Sequence, residues 1–116
     1  MAGSTIKTAN IETGMPTADQ AIRRMTFEIY SAQAQGCAAL KVIHGYGSSG
    51  AGGRIRVEAR KYLDSLLRRG KIRGFVTGEQ FSIFDGDTRI ALDLCPALRQ
   101  DRDLERHNNG VTIILL

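Results

Sequence analysis

Ala38-Ala39-Leu40-Lys41-Val42-Ile43-His44-Gly45-Tyr46-Gly47-Ser48-Ser49-Gly50-Ala51-Gly52-Gly53 is the stretch on which the fold turns. A short apolar run of strand length stops at a histidine, and five glycines crowd the nine residues 45–53. Ile55, Ala59, Tyr62, Leu63, Leu66 and Leu67 then recur at helical intervals, predicting a helix over about 54–69 that Gly70 ends. Strand, glycine-rich loop and basic helix follow one another without a break.

Working outward, the same alternation continues on both sides. Thr17 and Gln20 have capping-box spacing, Asp19 suits the positive end of a helix dipole, and Ile22, Met25, Ile29 and Ala32 repeat with helical period. These predict a helix over about 18–35 with Gly36 as its left-handed stop. Residues 1–15 are polar and mixed, with a short strand expected at Ile6–Ile11 and a flexible lead over residues 1–9. Downstream, Ile72–Thr77 reads as a third strand and Val111–Leu116 as a β-branched closing strand after the turn residues His107-Asn108-Asn109-Gly110.

Residues 78–109 form a variable segment before that last strand. Within it a short helix is expected at Thr88–Leu94, capped by Asp87 and stopped near Pro96, with another helical turn at Asp101–His107. Phe81, Ile83 and Phe84 read as core. Strands alternating with helices imply one α/β domain over 1–116, a sandwich with a mostly parallel four-stranded sheet.

The 116 residues suit one domain, and 42% apolar with 24% charged side chains is ordinary globular composition. The longest apolar run, within Gly110–Leu116, is far too short to span a bilayer. No basic-then-apolar leader opens the sequence, which makes a cytoplasmic location and no membrane partner the expectation. Two cysteines, Cys37 and Cys95, are too few for a disulfide scaffold.

Charge is distributed unevenly. Residues 1–53 carry a net +1 and residues 74–116 a net −3, whereas 54–73 hold eight basic and two acidic side chains, a net +6. More than the whole +4 excess therefore lies in twenty residues directly after the glycines. Such a segment suits a phosphate or polyanion, and equally a solvated helix face.

Glycines permit positive φ and close backbone approach, so Gly45, Gly47, Gly50, Gly52 and Gly53 can present N–H groups to an anion together with the following helix start. Arg54 and Arg56 flank that start, and Arg60 and Lys61 follow on the helix as further phosphate contacts. Tyr46 either stacks on a base or shields the end of the sheet. His44 is either a general acid–base or a strand-end group that fixes the loop.

Gly45-x-Gly47-x-x-Gly50 matches the dinucleotide fingerprint literally, but the acid expected about twenty residues on is missing. No Gly-Lys-Ser/Thr closes the loop as a P-loop requires. Cys37, His44, Cys95 and His107 lack zinc-box spacing, so no metal site is assigned. Mg²⁺ recruitment through Asp85, Asp87 or Asp93 enters only with a nuclease reading.

With its flanks, the stretch Val42-Ile43-His44-Gly45-Tyr46-Gly47, the glycines to Gly53 and the pair Ile55-Arg56 resemble the small MutS-related (Smr) domain. That family carries an apolar-Ile-His-Gly-x-Gly strand end, a glycine-rich stretch and a helix opening with a Leu-Arg-like pair. The likeness extends over about residues 10–116 and includes the closing Asn109-Gly110-Val111-Thr112-Ile113-Ile114. It implies a two-layer α/β sandwich like the C-terminal domain of translation initiation factor three. It also implies binding of DNA or RNA and, in some members, endonucleolytic cleavage, which would make His44 an acid–base. A non-enzymatic, protein-binding adaptor is the remaining alternative.

One departure bears on cleavage. Nuclease members carry Leu-Asp-x-His-Gly at the end of the first strand. Here Asn10-Ile11-Glu12-Thr13-Gly14 puts Ile11 in place of the acid and Thr13 in place of the histidine. Glu12 is one residue out of register and, in a strand, faces the opposite side.

Overall fold

The computed structural model describes residues 5–45 and 52–116. Strand β1 (Ile6–Asn10) leads into helix α1 (Ala18–Ala34), strand β2 (Ala39–Ile43) and helix α2 (Gly52–Arg68). Strand β3 (Gly74–Thr77), helix α3 (Gly86–Leu94) and strand β4 (Val111–Leu115) follow, with 3-10 turns at Gly78–Gln80 and Pro96–Gln100. The sheet order is β1-β2-β4-β3.

Local chemistry explains the helix limits. Thr17 and Gln20 cap each other reciprocally, Thr17 Oγ1 accepting from Gln20 N at 3.2 Å and Gln20 Oε1 from Thr17 N at 3.0 Å. Gly36 and Gly70 leave α1 and α2 at φ +76° and +71°. Helix α2 begins at Gly52, two residues before the expected start, which places Gly52 and Gly53 in its first turn rather than in the loop.

Parallel pairing joins β1 to β2, whereas β4 runs antiparallel to both β2 and β3. Two of three pairings are antiparallel, so the expected mostly parallel sheet is corrected to a mixed one. The cause lies in residues 78–109, which leave and return at the same end of the sheet. Gly78 packs so closely against the Asn108 carbonyl that a Cβ there would collide with it. Glu105 N also donates to Phe81 O at 2.9 Å, closing the excursion. A segment that closes on itself delivers β4 beside the end of β3, and β4 must then run back.

The layers follow from strand alternation. Leu40, Val42 and Ile114 face α1 and α2, joining Met25, Ile29, Leu63 and Leu66 in one core and forming the two-layer sandwich. On the opposite face Val76, Ile113 and Leu115 meet Phe81, Leu92, Cys95 and Leu98 from the 78–109 segment. Strand β4 is buried along its whole length because both faces are covered.

Three expectations for 78–109 change. Asp85, not Asp87, caps α3, its carboxylate accepting from Thr88 N at 2.9 Å. Residues 101–107 form turns and no helix. Phe81 is core, but Ile83 and Phe84 are exposed, Phe84 by 84%. At the other end Ile6–Asn10 pairs with β2 along its length.

Candidate functional site

His44 follows β2 on the face shared by Leu40 and Val42, so alternation drives its ring beneath α2, where it is fully buried. Its Nδ1 lies 2.7 Å from Gly45 O and its Nε2 lies 2.9 Å from Thr112 Oγ1. A carbonyl only accepts, so Nδ1 carries the proton and Nε2 accepts from the Thr112 hydroxyl. Burial lowers the His44 pKa from 6.5 to about 4, outweighing the upward pull of the Gly45 carbonyl, and the Arg60 charge acts with burial. The ring is thus neutral near pH 7, with both nitrogens occupied. Proton transfer to a ligand would require one of those bonds to open.

Gly45 turns the chain at φ +74°. Together with His44 it donates its backbone N–H to the single carbonyl of Gly110, at 3.1 and 3.0 Å. The Glu12 carboxylate rests against the Gly45 Cα, where any side chain would collide with it. Strand alternation does not apply to Glu12, because β1 ends at Asn10 and the chain bends through 11–14. Ile11 fills the core, while Glu12 brings a carboxylate to the start of the glycine loop. Thr13 offers its carbonyl to Arg24 Nη1.

The four cations predicted on α2 separate. Arg54 is exposed and Arg56 half-buried at the helix start, whose first turn contains no acid. Arg56 shares a helix face with Arg60 by i,i+4 spacing, and its charge acts on both His44 and Glu79. Arg60 is tied down: Nη1 and Nη2 donate to the two oxygens of Glu79 at 2.8 and 2.7 Å, and Nε donates to Thr112 Oγ1 at 3.3 Å. Burial pushes the Glu79 carboxyl up, but the Arg60 hydrogen bonds, a backbone hydrogen bond and the Arg60 and Arg56 charges together outweigh it and hold the group below its ordinary value. Lys61 turns away to the groove between α1 and α2, among Asp19, Arg23, Glu58 and Tyr62. Tyr46, Gly47 and Gly50 lie outside the described residues.

Glu79 and Thr112 were not expected at the site. Thr112 carried a signal, as the one polar residue within Val111–Leu115; it pairs with Val42, two residues before His44 and on the same face. Glu79 carried none, since it meets Arg60 only through the return of β3.

The opposite face holds a second polar cluster that the sequence hinted at through a lone charge in an apolar strand. Lys41 Nζ donates to Asp101 Oδ1 at 2.9 Å and also pairs with Asp103. Burial pushes the Lys41 pKa down, yet the bonds to Asp103 and Asp101 outweigh it and leave it raised. Asn108 Nδ2 donates to Asp103 at 3.0 Å, and Asn108 Oδ1 accepts from Gly110 N at 2.9 Å. The cluster therefore fixes Gly110, the residue that receives His44 and Gly45.

Among the described residues no three His, Cys, Asp or Glu side chains converge as a metal-binding group. Asp85 is committed to Thr88 and Gln80, and Asp93 reaches toward Arg99 at 3.9 Å. Asp85, Asp87 and Asp93 do not converge as a donor set for Mg²⁺. Cys37 and Cys95 are buried free thiols.

No family model and no curated protein matches the sequence. Among solved structures, the crystal structure of the Smr domain of Thermus thermophilus MutS2 is similar with a TM-score of 0.58 at 19% identity. The match covers 95% of this chain and 96% of that one. The chain thus has the fold of an Smr domain.

Proposed function

We propose that this Smr-like domain binds nucleic acid through its phosphates, at the end of the sheet where β2 passes into α2. The carrying observation is the start of α2: its first turn holds Arg54 and no acid, Arg56 follows, and the Arg56 charge acts on His44 at the strand end. A helix N-terminus and forked guanidinium groups both favour a phosphate oxygen, and neither reads base identity. His44 acts in this reading as a strut: its bonds to Gly45 O and Thr112 hold the entry to the glycine loop, and its neutrality keeps a further cation out of the core.

Fluorescence anisotropy with short single- and double-stranded DNA and RNA tests the proposal. Binding should weaken steeply with salt. Arg54→Ala with Arg56→Ala should weaken it for every sequence and flatten the salt slope by about two. Salt-insensitive binding, or none at low salt, overturns the reading, and a pull-down surviving nuclease and high salt would favour the adaptor instead.

One observation favours cleavage as a second reading: the Glu12 carboxylate against Gly45 supplies an acid at the loop start despite Ile11 and Thr13. Nicking of supercoiled plasmid or cleavage of RNA, lost in both Glu12→Gln and His44→Ala, would support it. Activity equal to wild type in both variants would exclude those residues.

A further inference from the structure

We infer that Glu79 occupies the position of a nucleic-acid phosphate on Arg60, and that ligand binding exchanges the one for the other. The inference rests on the phosphate-binding reading above and concerns how that site is regulated.

The geometry at Arg60 is lopsided. Its inner side is anchored to β4, where Nε donates to Thr112 Oγ1 and Nη2 donates to Val111 O, both at 3.3 Å. Its outer edge, Nη1 and Nη2, grips both oxygens of Glu79 in the fork-to-fork arrangement that guanidinium groups also make with phosphate. The Arg60 side chain is 19% exposed and the Glu79 side chain 44%. The cation is therefore held in place while its anion stands at the surface, on a 3-10 turn only three residues long. Departure of Glu79 would leave the guanidinium aimed as before, with two donors facing outward. Arg56 lies one helical turn nearer the loop on the same face. With Glu79 displaced, Arg56 and Arg60 would form a pair of cations along a phosphate backbone.

An exposed carboxylate on a partly buried arginine is held by little free energy, so the exchange costs the ligand little. It still discriminates. Only a group that can accept from both terminal nitrogens at once replaces Glu79 without loss, which selects phosphates over weakly basic or single-point anions.

Anisotropy of a short fluorescein-labelled oligo-dT at low salt tests the exchange in wild type, Glu79→Gln, Arg60→Gln and the double variant. Glu79→Gln should bind about threefold to fivefold more tightly. In the Arg60→Gln background the same change should gain nothing, because the arginine it releases is gone. Glu79→Asp keeps the charge, shortens the reach by one methylene, and should tighten binding by a smaller factor. Equal gains with and without Arg60 would reduce the effect to general charge repulsion and overturn the exchange, as would no gain in either Glu79 variant. Failure of the wild type to bind overturns the phosphate reading and the exchange together. Binding that needs Arg54 and Arg56 yet ignores Glu79 leaves the reading standing and removes only the exchange.

Discussion

The two faces of the sheet each set a partly buried cation among carboxylates, and they do so to different ends. Lys41 has 8% side-chain exposure, with two aspartates that are themselves 12% and 10% exposed. Arg60 has one glutamate, nearly half exposed. In the first cluster every member is enclosed, so losing one strands a charge away from water. In the second the anion already stands in water, and its departure leaves the guanidinium still bonded to Thr112 and Val111. Burial of the weaker-held partner, more than hydrogen-bond length, separates a clamp from an exchangeable contact.

Removing Lys41 is the strongest way to break that contrast. Lys41→Ala leaves Asp101 and Asp103 facing each other without a counter-charge and should cost about 3–5 kcal/mol in denaturant unfolding. A loss no larger than that of an exposed pair would show that water reaches the cluster. The pH dependence has a definite sign. The raised Lys41 pKa contributes stability that is complete below 10.5 and fades as pH rises through its folded value. The depressed Asp103 carboxyl contributes stability above 3.8 that is lost as pH falls through its folded value.

Acid should act next most strongly, through His44. A pKa lowered from 6.5 to about 4 stabilises the fold above pH 6.5 and loses that contribution as pH falls toward 4. A shift of this size corresponds to about 3 kcal/mol. Unfolding at pH 7 and at pH 4.5, with ring titration followed by NMR, measures it. A His44 that titrates near 6.5 would place the ring in water and dissolve the strut.

The smallest effect belongs to Glu79. Glu79→Gln should change unfolding free energy by less than about 1 kcal/mol, because the carboxylate is largely exposed. A loss comparable to that of Lys41→Ala would make both pairs clamps and erase the distinction between the faces.

Much of this arrangement was legible in the sequence. Thr17 and Gln20 bond as their spacing predicts, and Gly36 and Gly70 stop their helices at positive φ, because such features are decided within one turn of chain. Asp85-Gly86-Asp87 offered two caps within three residues. The choice of Asp85 depends on Gln80, whose Nε2 reaches the same carboxylate at 3.2 Å. The direction of β4 was hidden for a different reason: it follows from Gly78 meeting Asn108, thirty residues away, and no period in the sequence encodes that contact. Arg60 likewise read as a free phosphate contact because its partner arrives on another strand's return. Glu12 misled because alternation was extended past the end of β1.

Gly110 joins the two clusters without a side chain of its own. Its N–H is bonded to Asn108, which reaches Asp103 and so Lys41, and its carbonyl collects the N–H groups of His44 and Gly45. The connection between the Lys41 face and the loop-bearing face thus passes through the main chain of Gly110 and the side chain of Asn108. Replacing Asn108 would cut this relay between Gly110 and Asp103, whereas the bonds from the His44 and Gly45 N–H groups to the Gly110 carbonyl are main chain and follow from the β2–β4 register alone.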